Sequence, residues 1–89
     1  MTSFCRSDDV FGKVVDRSLC LLKNKDKYVY KLNDTAAFLW ELLENPQTST
    51  KLSKALTKKY KISQSQAQKD VESFLKYYLG EKLIKKVSD

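Results

Sequence analysis

Two thiols, Cys5 and Cys20, are the strongest nucleophiles and metal ligands in this 89-residue chain, and no histidine accompanies them. A zinc site draws three or four ligands from closely spaced Cys and His, and two cysteines without a CxxC pair do not supply them. Without histidine, a serine or cysteine nucleophile would need an unusual base such as lysine. The glycines, Gly12 and Gly80, stand alone, so no glycine-rich loop cradles a phosphate. These residue types exclude the common catalytic, metal and nucleotide chemistries, and no catalytic residue, metal or cofactor is assigned. Cys20 reads as a packed strand residue and Cys5 as a loosely held one near the terminus. Two reduced thiols and the lack of a signal segment or membrane-length apolar run lead to an expected cytoplasmic location.

Binding remains. The net charge is +6, from 17 Lys and Arg against 11 Asp and Glu, a balance that attracts nucleic acid, acidic peptides or membrane surfaces. Most of the basic residues are lysines, which keep a surface solvated more often than they read bases. Apolar residues make up 42% of the chain, enough for one core, so residues 1–89 are expected to form one domain with residues 1–8 as a flexible N-terminus.

The elements that would carry a binding surface follow from pattern. Val10–Val15 is β-rich and ends at Asp16-Arg17. Leu19-Cys20-Leu21-Leu22 is a continuous apolar run of strand length, and Lys23-Asn24-Lys25-Asp26 signals a turn. Lys27–Leu32 alternates, placing Tyr28, Tyr30 and Leu32 on one face and Lys27, Val29 and Lys31 on the other. Asn33 or Asp34 can then cap an apolar helix holding Leu39, Trp40, Leu42 and Leu43, broken at Asn45-Pro46-Gln47. Thr48 caps a second helix with an inner stripe of Leu52, Ala55, Leu56 and Tyr60 and a lysine-rich outer face. Ser63, with Gln66 in a capping-box pattern, opens a third helix carrying Ala67, Val71, Phe74, Leu75 and Tyr78. Gly80 is its expected stop, with Leu83-Ile84 as a tail or wing. The fold class is α+β: a three-stranded antiparallel sheet followed by three helices, winged helix-turn-helix-like. That outline invites a nucleic-acid-binding reading, which is the alternative here. Against it, the third helix has no arginine, and Asp70 and Glu72 would repel phosphates.

The segment Tyr28–Leu43, YVYKLNDTAAFLWELL, resembles the strand-to-helix core of the PqqD-like family, the leader-peptide recognition domains of ribosomal peptide natural-product pathways. Leu32-Asn33, Asp34-Thr35, Ala36 and Trp40-Glu41-Leu42-Leu43 carry the likeness. Thr48 with Leu52 matches the family's second helix, and Asp70-Val71 with Phe74-Leu75 its third. The chain departs from the pattern at Lys82, where glycine is usual, and at Tyr78, where an aliphatic residue is usual.

The resemblance implies a non-catalytic module that binds the leader of a precursor peptide as an added strand against Lys27–Leu32, beside the third helix. It delivers that peptide to a separate modifying enzyme or leader peptidase, as the standalone recognition proteins of lasso-peptide pathways do. Lys27, Tyr28, Val29, Tyr30, Lys31 and Leu32 are the strand candidates, and Asp70, Phe74, Tyr77 and Tyr78 the helix candidates. Phe74 reads as core before contact, whereas Tyr77 lies off the main apolar stripe and suits an interface. Asp70 is either a surface carboxylate or the acceptor for a donor from the peptide or a neighbouring element. Phe38 is expected to face outward, as a lone exposed aromatic or a docking point for the enzyme.

Overall fold

The computed structural model describes residues 2–23 and 28–88. Strands β1 (Thr2–Arg6), β2 (Val10–Val15), β3 (Ser18–Lys23) and β4 (Val29–Lys31) precede helices α1 (Asp34–Leu42), α2 (Ser49–Tyr60) and α3 (Gln64–Gly80), and β5 (Ile84–Ser88) follows. β2, β3 and β4 form a three-stranded antiparallel sheet in that order, as the sequence pattern anticipates. The expected turn at Asn24–Asp26 and the candidate Lys27 lie outside the described residues.

Local chemistry explains most boundaries. β2 and β3 are joined by Asp16 and Arg17, both at positive φ (49° and 67°) between the paired residues Val15 and Ser18. Two left-handed central residues match the right-handed twist of the flanking strands in a two-residue hairpin. Asn33, Thr48 and Ser63 each cap a helix, their side-chain oxygens accepting from the backbone N–H of Ala36, Lys51 and Gln66. The reciprocal bond of the capping box is not made, and the Gln66 amide nitrogen donates to Asp70 at 2.8 Å.

α3 stops differently from the expectation at Gly80. Gly80 is still helical, and the left-handed residue is Lys82 at φ 60°. The Leu83 N–H reaches the Tyr78 carbonyl at 2.9 Å and the Lys82 N–H reaches the Leu79 carbonyl at 3.1 Å, the two bonds of a Schellman cap. A lysine there bears a steric cost of about 1 kcal/mol that glycine would not. The position where this chain departs from the familiar glycine is therefore the helix stop itself.

The largest difference from the sequence reading lies at the N-terminus. Residues 2–6, expected to be flexible, form a strand paired with β5 from Thr2↔Ser88 to Arg6↔Ile84. Phe4 is buried and exchanges two backbone hydrogen bonds with Gln47. The Arg6 guanidinium donates to the Trp40 carbonyl at 3.0 Å and to the Glu41 carbonyl at 3.4 Å, and stacks 4.8 Å from the Trp40 ring centroid. These carbonyls also accept from the Leu43 and Glu44 N–H groups at 3.1 and 3.3 Å, and a cation beside them at the end of α1 is favourable for the helix dipole.

The core joins Leu21 and Leu32 from the sheet to Leu39, Trp40 and Leu43 of α1, Leu52 and Leu56 of α2, and Val71 and Leu75 of α3. Gly12 permits close packing, since a Cβ there would lie 3.0 Å from Leu19 Cδ1 and 3.5 Å from Trp40 Nε1. Cys20 is buried on β3, as expected. Phe38 is not the exposed aromatic that its position suggested. Tyr60 packs edge-on against it at 6.1 Å and Lys59 Nζ sits 5.8 Å from its ring centre. No helix among the described residues is long and apolar enough to cross a membrane.

Candidate functional site

β4 is an edge strand. In an antiparallel ladder, alternate residues direct their N–H and C=O toward the same neighbour. Leu32 donates to the Leu19 carbonyl at 2.9 Å and Tyr30 pairs with Leu21 in the same ladder, so Tyr30 and Leu32 serve β3. The backbone groups of Val29 and Lys31 therefore point the other way, where no strand among the described residues pairs with them. Such an edge is a template for one more strand.

Beside it lies an open cleft of about 560 Å³, with β4 at its rim, α1 at one wall and α3 at the other. Lys31 reaches it from the strand, Asn33, Thr35, Ala36 and Leu39 from the start of α1, and Asp70, Ser73, Phe74, Tyr77 and Tyr78 from α3. The α3 residues converge because helical spacing sets positions 70, 74, 77 and 78 on one face. Phe74 and Tyr78 stack with ring centroids 4.0 Å apart, and Tyr77 meets Tyr78 edge-on at 5.6 Å. Tyr77 is the most open of these, 55% exposed. Lys31 and Asp70 are the charged residues of the lining, and Asp70 is half-buried. Aromatic rings interspersed with polar side chains, next to backbone donors and acceptors that no strand among the described residues pairs, fit an extended peptide.

The family model for coenzyme PQQ synthesis protein D (PqqD) matches residues 19–84, from β3 through α3 to the first residue of β5. The chain belongs to the PqqD family. Two solved structures share its fold. One, described as TbiB1 in complex with the TbiA(beta) leader peptide, is 21% identical with a TM-score of 0.82, over 96% of this chain and 99% of that one. The other, lasso peptide synthetase B1 complexed with the leader peptide, is 20% identical with a TM-score of 0.81, over 92% and 96% respectively. No curated protein matches the sequence.

On this PqqD-family fold the sequence-derived candidates separate into groups. Lys31, Asp70, Phe74, Tyr77 and Tyr78 line the cleft. Val29 lies on the strand edge, 58% exposed, and Tyr28 precedes it, also exposed. Tyr30 packs inward, and its hydroxyl donates to Glu81 Oε1 at 3.0 Å. The Lys23 ammonium donates to the Glu81 carbonyl, so β3 and β4 are both tied to the end of α3, which fixes one end of the cleft. Leu32, expected at the peptide edge, is core instead: its side chain is buried and its N–H is spent on β3. Sequence reasoning missed the α1 wall. That wall is made by Asn33, Thr35 and Ala36 at the start of α1, backed by Leu39, which is fully buried core.

Burial pushes the Tyr78 phenol up to about 12, with Tyr77 adding to the rise. Tyr78 therefore stays neutral at any physiological pH. A phenol raised in the folded state contributes stability that is present below its ordinary pKa near 10 and lost as the unfolded chain ionises above it. Wild-type protein should lose stability between about pH 10 and 12 more steeply than Tyr78→Phe, with the gap reaching roughly 1 kcal/mol after solvent screening. Denaturant titrations of both proteins across that range check this, and parallel curves would contradict it.

Proposed function

We propose that this domain captures the leader region of a ribosomally synthesised precursor peptide as a strand added to β4, and presents it to a separate modifying enzyme or leader peptidase. The domain is a binding module, not a catalyst, and works in the cytoplasm where such precursors are made. The observation that carries this reading is the β4 edge at Val29 and Lys31, which no strand among the described residues pairs, beside the aromatic cleft. Membership of the PqqD family supports it, as do the leader peptides held by the two similar structures. Backbone pairing would set register and supply much of the affinity. Alternate side chains of the peptide would enter the cleft against Phe74, Tyr77 and Tyr78.

The test is a fluorescence titration with labelled leader peptides of precursors sought among short reading frames in the neighbourhood of this gene. Saturable binding at about micromolar affinity or tighter is expected, with a scrambled peptide failing to compete. Binding of duplex DNA alone, falling steeply with salt, would point to a nucleic-acid module and overturn the reading.

A further inference from the structure

The sheet has a second edge. β2 lies outermost on the side away from β4, and no strand among the described residues pairs with it there. The hydrogen-bond phase of β3 fixes which of its backbone groups turn outward. Leu19 and Leu21 direct theirs to β4, through Leu32 and Tyr30, and these two are the residues opposite Val14 and Gly12. Alternate residues in a ladder serve the same neighbour. Phe11, Lys13 and Val15 therefore bond to β3, while Val10, Gly12 and Val14 face outward. The Val10 N–H agrees, since it turns back to the Ser7 carbonyl at 3.4 Å. Every residue from Phe11 to Val15 is exposed, Val14 at 69%. Edge strands are normally guarded by proline, a bulge or several charges. β2 has a single lysine, no proline, and unbroken pairing from Val10↔Lys23 to Val15↔Ser18.

We propose that β2 pairs antiparallel with β2 of a second copy of this chain, about a two-fold axis at Gly12. The strand is self-complementary in that register. Gly12 meets the partner's Gly12 and Val14 meets the partner's Val10, so outward backbone groups face outward backbone groups. Lys13 falls opposite the partner's Phe11, in the non-hydrogen-bonded position where side chains approach most closely. An ammonium group beside an aromatic ring is favourable there. Centring the pair on Lys13 instead would set two ammonium groups face to face. In the Gly12 register one sheet runs from the β4 of one copy to the β4 of the other, and both β4 edges lie at its outer ends. Pairing at β2 is thus compatible with strand addition at β4 and does not depend on it. The contact is small, and each chain carries a net charge of +6, a repulsion that physiological salt largely screens. The dimer is a weak one, with a Kd of about tens of micromolar.

Sedimentation velocity on the full chain, across roughly three decades of concentration around that Kd, reads the assembly. The mass should rise from 10.3 kDa to twice that value and stop. Val14→Pro removes an outward N–H at an edge position that tolerates proline, and should stay monomeric throughout. Phe11→Lys, at an exposed site, sets an ammonium group against Lys13 of the other copy and should weaken pairing about tenfold or more. Adding Lys13→Glu to it turns that repulsion into attraction and should restore the dimer. Circular dichroism checks the fold of each variant, and the charge exchange carries the test alone where the proline variant unfolds. Wild type that stays at 10.3 kDa at every concentration overturns the pairing. So does growth past two copies, which marks open-ended association. A dimer undisturbed by both Val14→Pro and Phe11→Lys lies elsewhere on the surface and overturns it too. Failure of the double variant to recover overturns the Gly12-centred register.

Discussion

Lys31→Pro should weaken leader-peptide binding by roughly a hundredfold, while Lys31→Ala weakens it only a fewfold. Proline lacks the N–H that Lys31 turns toward the open edge, and its ring occupies the space a partner strand needs. That N–H makes no bond to β3, since Leu21 and Leu19 pair with Tyr30 and Leu32. The substitution is therefore tolerated by the fold in the way edge strands tolerate proline. One lost hydrogen bond, a peptide carbonyl left unsatisfied and a displaced backbone together come to about 3 kcal/mol. The alanine variant removes the ammonium and keeps the backbone, so the two separate charge from strand addition. Calorimetric titration of both decides the matter. Equal affinities would mean that the peptide does not pair with β4.

The second large effect is on stability. Arg6→Ala should cost about 2–3 kcal/mol, because two hydrogen bonds to the α1 carbonyls and the contact with Trp40 are lost together. For a domain of this size that is a fall in Tm of roughly 10–20 °C. Arg6→Lys keeps the charge but not the fork, and should recover less than half. Differential scanning calorimetry reads both, and a shift of only a degree or two would return the N-terminus to the loose tail that its sequence suggests. The effect extends to the site, because Asn33, Thr35, Ala36 and Leu39 of the same helix form one wall of the cleft. A helix loosened at its C-terminal end should also bind peptide less tightly.

What could be read from residues alone was whatever is decided locally. Asn33, Thr48 and Ser63 announce helix starts because a capping oxygen needs only its own next three residues. Asp70, Phe74, Tyr77 and Tyr78 fall on one face because helical spacing is fixed. The pairing of Thr2–Arg6 with Ile84–Ser88 was hidden, since each strand is short and finds its partner from the far end of the chain. The same holds for Arg6, whose purpose appears only where the end of α1 is in view. The cleft's second wall was hidden because Asn33, Thr35 and Ala36 read only as a helix start, and the side they turn to the cleft is set by tertiary packing. Gly80 misled because the helix stop depends on which residue turns left-handed, and here that residue is Lys82.

The β1–β5 pairing has an architectural consequence. Thr2 and Ser88 are directly opposite residues, so the start of β1 and the end of β5 lie about one strand spacing, roughly 5 Å, apart. A unit whose entrance and exit coincide can be spliced into a surface loop of a host protein with little distortion of either. The domain has the geometry of a portable cassette, suited to standing free or to being carried within a larger protein, with its β4 edge unchanged.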